Sequence, residues 1–169
     1  MSNDIIDVSM ISNNIKKIKK AITAVGGYTP DDFISNKDLE KMVDTNDEWI
    51  TARTWIKKRR ILKEKGKSKS YLAINAANNL IKKKKLDPKT IDLVILSTIT
   101  PDFHGASTAP TVASEINASN AYAFDINAAC SGFLFGMSTA TSYIESGRYK
   151  KILLIAVSYT HLRAHETSD

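Results

Sequence analysis

Between Ile91 and Ile99 the chain reads IDLVILSTI, an apolar run that lacks the strict alternation of a half-exposed strand and is too short for a buried helix. Such a run is expected to be a strand covered on both faces, the situation of a parallel sheet whose crossover helices pack on either side. The neighbouring segments supply those helices. Ser68 to Lys85 carries Leu72, Ala76 and Leu80 on one stripe, with Ala73, Ala77 and Ile81 beside it. Ser107 reads as a helix cap, with Pro110 in the first turn and Ala109, Val112, Ala113 and Ile116 facing inward. AYAFDIN, Ala121 to Asn127, is the next strand. Ser131 to Ser146 is the next helix, with Phe133, Met137, Ala140 and Ile144 on one face, Gly136 allowing close approach and Gly147 ending it. KILLIAV, Lys151 to Val157, is the last strand. This alternation predicts an α/β fold: a mainly parallel, mixed sheet with helices on both faces.

Upstream the pattern is less regular. KAITAVGGYTP reads as a short strand from Ala21 running into a Gly-Gly-x-x-Pro turn. Asn36 reads as the cap of a helix over NKDLEKMVDT, where Leu39, Met42 and Val43 recur at helical spacing. Thr45 to Ile61, TNDEWITARTWIKKRRI, crowds both tryptophans among arginines without a clean period and reads as a functional loop and turn. Residues 1–20, polar and then basic, read as an extension ahead of a folded body at 21–158.

With 7 Gly and 4 Pro in 169 residues, collagen-like and low-complexity classes are excluded. No apolar run approaches the roughly 18–20 residues of a membrane span, so no membrane partner is expected. MSNDIIDVSMISNN carries no secretory leader pattern, and the expected location is the cytoplasm. The net charge of +6 comes largely from basic runs at Lys16 to Lys20, Lys57 to Arg60, Lys63 to Lys69 and Lys82 to Lys85. These read as solvated surface, and they lack the interleaved aromatic residues and motif spacing of a nucleic-acid binder. Lys82 to Lys85 also sit where cations suit the negative end of a helix dipole. A noncatalytic carrier-protein or nucleic-acid binding module using these runs is the competing reading.

Cys130 is the one cysteine, which excludes an internal disulfide and a cysteine-based zinc site. It lies between the strand AYAFDIN and the helix from Ser131. There, first-turn N–H groups and the helix dipole stabilise a thiolate, the reactive form. Ala128, Ala129 and Gly132 permit a sharp strand-to-helix turn like a nucleophile elbow, whose N–H groups can hold an oxyanion. A free cysteine is equally at home as a small buried hydrophobe, and the local pattern leaves both readings open.

AFDINAACSGFLFG around Cys130, with LEKMVDTNDEWITART from Leu39 to Thr54 and PDF at Pro101 to Phe103, resembles β-ketoacyl-acyl-carrier-protein synthase III over about Ala21 to Ser158. The resemblance implies the amino-terminal half of a thiolase-like fold, incomplete in this chain. It also implies an acyltransferase of fatty acid biosynthesis, condensing a short acyl-CoA with malonyl-acyl carrier protein through an acyl-cysteine on Cys130. Trp49 and Arg53 match positions that contact the adenine end of CoA, and Thr45 matches a neighbouring one. Acyl-CoA is implied as substrate, with no permanently bound cofactor and no metal, and a homodimer in the complete form. A related synthase making polyketide-type products is a further alternative.

Three departures from the family pattern stand out. Trp55 occupies a position that is usually Gly, and no function is assigned to it. Gly105 and Ala106 replace the aromatic-Pro pair common in that loop, so acyl-chain preference does not carry over. The histidine and asparagine that the family uses for condensation belong to its second half. His104, His161 and His165 lie in no matching segment, and the chain alone is not expected to turn over. His104 reads as a surface or packing residue. His161 and His165 have the spacing of two metal ligands on a helix but no third ligand. The tail 159–169, YTHLRAHETSD, resembles nothing in the family and reads as foreign to the frame.

Overall fold

The structure is a computed structural model that describes residues 20–64 and 66–157. The expectations for the amino-terminal extension before residue 20, and for the tail with His161 and His165, lie outside the described residues. Two sheets are present among the described residues. A small antiparallel pair joins β1 (Phe33–Ser35) to β2 (Lys58–Arg60), with helices α1 (Asn36–Leu39) and α2 (Asp47–Thr54) between them in the chain. After α3 (Lys69–Lys84) comes a parallel sheet built from β3 (Leu93–Ser97), β4 (Tyr122–Ile126) and β5 (Ile152–Ala156), connected by α4 (Ala109–Glu115) and α5 (Gly132–Glu145).

The strand order is β4-β3-β5. The chain therefore steps one way from β3 to β4 and the other way from β4 to β5, and right-handed crossovers place α4 and α5 on opposite faces. All five residues of β3 are buried, as its continuous apolar character requires. Val94 and Leu96 belong to a core with Ala73 and Ala77 of α3 and Val112 and Ala113 of α4. Helix α3 ends at Lys85 in a left-handed conformation, with Leu86 N–H donating back to the Ile81 carbonyl at 3.0 Å. The lysines of its last turn are exposed on the carbonyl end of the dipole, as expected.

Four local expectations differ from the structure. Residues 20–30 form no strand. They lie along α3, close enough that a Cβ on Gly26 would stand 2.6 Å from Leu80 Cβ, and an apolar cleft of about 1320 Å³ separates them from β5. Without a neighbouring strand to bond, the segment stays irregular. The helix expected over 36–45 stops at Leu39, and its cap is Ser35, whose hydroxyl accepts from Asp38 N–H at 3.2 Å. The stretch read as a loop from Thr45 contains α2, capped by Asn46 accepting from Trp49 N–H at 2.7 Å. Finally, Ser107 does not cap α4. Thr108 precedes that helix, and the Asp125 carboxylate of β4 accepts from Thr108 and Ala109 N–H, each at 2.7 Å.

Candidate active site

At the carboxyl end of β4 the chain turns through Ala129, whose φ of 43° is left-handed, into a 3-10 turn over Ala129–Ser131 and then α5. A non-glycine residue in that region is costly and marks a backbone fixed by its surroundings. One fixing contact is Gly132, where an added Cβ would fall 2.0 Å from Ser97 Oγ at the end of β3. Only a glycine lets α5 start this close to the sheet. Cys130 is thereby held at the helix start with its side chain exposed, so the reading as a buried hydrophobe does not describe it. The Ser131 side chain makes no capping bond at the start of α5.

The loop after β3 is tied down on the same side. Asp102 accepts from Ser68 Oγ at 2.6 Å and Lys69 N–H at 3.0 Å, and so caps α3 from a distance in sequence. Its own N–H donates to Thr108 Oγ1 at 2.9 Å. Burial pushes the Asp102 carboxyl up, but the hydrogen bonds from Ser68, Ser70 and Lys69 outweigh it and hold the group below the usual carboxylate range. His104 is exposed at the tip of this loop, beside Gly105 with φ of 85°.

On α2 the structure brings Trp49 and Arg53 together, with the guanidinium carbon 4.3 Å from the indole centroid. The hydroxyl of Thr45, two residues before the helix, is buried without a hydrogen-bond partner. Trp55 ends α2 in a left-handed conformation, φ 59°, a backbone that favours glycine, and its ring is 85% exposed. Trp49, Arg53 and Thr45 sit with the β1–β2 pair, whereas Cys130 stands on the parallel sheet. Sequence reasoning missed Asp102 and Asp125, although an acid inside the apolar strand AYAFDIN is a visible signal of a buried acceptor. It also read Arg59 as part of a solvated basic run, whereas Arg59 is 5% exposed and donates to Asn36.

The profile of 3-oxoacyl-[acyl-carrier-protein (ACP)] synthase III matches residues 124–161, the stretch that carries Cys130. The β-ketoacyl-[acyl-carrier-protein] synthase III of Porphyromonas gingivalis is 54% identical over 142 residues, 84% of this chain. Along most of its length the chain is similar to part of a synthase III. It spans 42% of the length of that curated relative. The fold agrees: the crystal structure of 3-oxoacyl-[acyl-carrier-protein] synthase III from Aquifex aeolicus superposes with a TM-score of 0.75 at 46% identity, covering 83% of this chain and 44% of that one. The priming β-ketosynthase from the R1128 polyketide biosynthetic pathway gives a TM-score of 0.79 at 33% identity, covering 86% and 43%. This is the thiolase-like synthase III fold, present in part. The competing reading as a nucleic-acid or carrier-protein module built on lysine runs is not favoured by these likenesses. Among the described residues no group of three or more His, Cys, Asp or Glu side chains is placed to hold a metal, and no helix is long and apolar enough to cross a membrane.

Proposed function

We propose that this chain carries the acyl-accepting part of a synthase III that starts fatty acid biosynthesis, a cytoplasmic process. The observation that carries the reading is the exposed Cys130 at the start of α5, above the Gly132–Ser97 contact. The Cys130 thiolate attacks the thioester carbonyl of a short acyl-CoA. A new carbon–sulfur bond forms as the carbonyl electron pair moves onto oxygen. That pair then returns, the bond to the CoA sulfur breaks, and the departing thiolate takes a proton from solvent. First-turn N–H groups of α5, which no side chain caps, stabilise the intermediate oxyanion.

The adenine end of CoA is assigned to α2. The indole face of Trp49 stacks the base, Arg53 pairs with phosphate, and the unpartnered Thr45 hydroxyl gains a bonding partner. Malonyl-acyl carrier protein is the second substrate, and the complete enzyme works as a homodimer with acyl-CoA as substrate and no resident cofactor. Among the described residues His104 is the one histidine, so the step assigned to them is acyl transfer. The test is incubation of the full chain with acetyl-CoA: mass spectrometry should show one acetyl group on the peptide containing Cys130, absent from Cys130→Ser. An unmodified Cys130 under conditions where the chain is folded sinks the proposal.

A further inference from the structure

Asn36 has the sequence signature of a helix cap, yet Ser35 does the capping, and the Asn36 side chain is used otherwise. It is 1% exposed, and its Oδ1 accepts from Arg59 Nη1 at 2.7 Å. Its Nδ2 donates to Asp47 Oδ1 at 2.6 Å and to the Ile56 carbonyl at 2.8 Å, with Thr51 Oγ1 at 3.4 Å. The orientation of the amide is dictated, since a guanidinium only donates whereas a carboxylate and a carbonyl only accept. One carboxamide therefore ties together the start of α1, the first turn of α2, the chain leaving α2, and β2.

Helix α2 buries only Ile50, and besides the Asn36 contacts its first turn is tied by Asp47 N–H donating to Glu40 Oε1 at 2.7 Å. Asp47 and Thr51 are one turn apart and share the face that meets Asn36. Trp49 and Arg53, also one turn apart, lie roughly 200° further round the helix, on the opposite face. Fixing the first pair fixes where the second pair stands. We propose that Asn36 is a positioning residue for acyl-CoA recognition, setting the rotation of α2 about its axis and hence the placement of the Trp49–Arg53 pair. This rests on the assignment of CoA to α2 made above.

The probe is free coenzyme A, titrated onto the full chain in a Trp55→Phe background so that Trp49 is the remaining tryptophan. Asn36→Asp is nearly isosteric but faces Asp47 and the Ile56 carbonyl with an acceptor. It should shift Trp49 emission and weaken CoA binding by about tenfold. Adding Asp47→Asn restores a donor opposite the new carboxylate, so the double variant should recover most of the affinity and the parental emission. If Asn36→Asp does not fold, the double variant alone decides. Parental emission and affinity there support the proposal, and a folded double variant with displaced emission overturns it. Unchanged emission and affinity in a folded Asn36→Asp also overturn it. Should the parent chain fail to bind CoA, the assignment of CoA to α2 fails, while Trp49 emission still reports whether Asn36 sets the helix. Should Trp49→Ala abolish binding while Asn36→Asp does not, the assignment stands and the positioning role falls.

Discussion

The two faces of the β4-β3-β5 sheet are built differently. On one face Val94 and Leu96, both 0% exposed, meet α3 and α4, and both helices bury small or branched residues against them. On the other face Leu93 and Ile95 are as deeply buried, yet α5 above them buries only Gly132 and Gly136. Its Phe133, Leu134 and Phe135 stand 48%, 70% and 57% exposed. The first face is closed by interlocking side chains, and the second by backbone pressed onto the strands. An added Cβ at Gly136 would lie 2.5 Å from Leu154 Cδ1. The lesson is that close approach at two glycines serves the placement of Cys130 more than it serves the core. At its start helix α5 meets the sheet through its glycines, while Phe133, Leu134 and Phe135 stay exposed.

Truncation of Leu96 to Ala tests the closed face and should have the largest effect. It removes a fully buried side chain between two helices and should lower unfolding free energy by about 2–5 kcal/mol in urea denaturation. A loss below about 1 kcal/mol would mean that the face is looser than its burial indicates. Gly132→Ala tests the other face. The clash with Ser97 Oγ forces α5 outward, at a cost of about 1–3 kcal/mol, and it should slow acylation of Cys130 as well. Adding Ser97→Ala leaves the Ser97 Cβ position, 3.4 Å away, as the nearest neighbour and should return part of both losses. Additive losses in the double variant would show that the contact is not what places the helix.

The same contrast explains what the sequence disclosed. The apolar run at Ile91 to Ile99, the stripe through Leu72 and Ala76, and the turn at Cys130 were legible because each signal is local: a period, or a few small residues in a row. Gly136 was legible as a point of close approach, and the stripe of Phe133, Met137, Ala140 and Ile144 as an apolar face. That face lines the cleft between residues 20–30 and β5, whereas Gly132 and Gly136 make the sheet contact. Period shows that a face is apolar without showing what covers it. The bonds of Asp102 to Ser68 and of Asn36 to Arg59 span 34 and 23 positions, and no local pattern announces them. At the site, Trp49 and Arg53 fall one turn apart and meet as a pair, but the burial of the Thr45 hydroxyl depends on packing that no local pattern encodes.

Acid should separate the faces further, with a smaller effect. The Asp102 carboxyl is held below its unfolded value of about 3.9, so its stabilising contribution is fully present above that pH and is lost as pH falls through the lower folded value. With the group partly open to solvent, the loss is at most about 1 kcal/mol. Amides in the first turn of α3 should exchange faster below about pH 4, after correction for intrinsic rates. The start of α5 has no side-chain cap to lose and should respond little. Asp102→Asn should remove this acid response from α3; an undiminished response in that variant would place its origin elsewhere.

The smallest stability change belongs to Leu134→Gln. Leucine and glutamine have similar helix propensities, and a side chain 70% exposed loses little contact on folding, so unfolding free energy should change by no more than about 0.5 kcal/mol. A loss above about 1 kcal/mol would show that α5 draws on packing that the exposed position does not reveal, and the contrast between the faces would weaken. Solution behaviour supplies a second arm. Leu134 and Phe135 are adjacent exposed apolar groups, and such groups favour association. Sedimentation velocity across a concentration series should therefore show less self-association for Leu134→Gln than for the parent chain, although the fold is equally stable. Equal association in the two proteins would mean that contact between copies runs through another surface, and that the aromatic side of α5 is open for reasons unrelated to it.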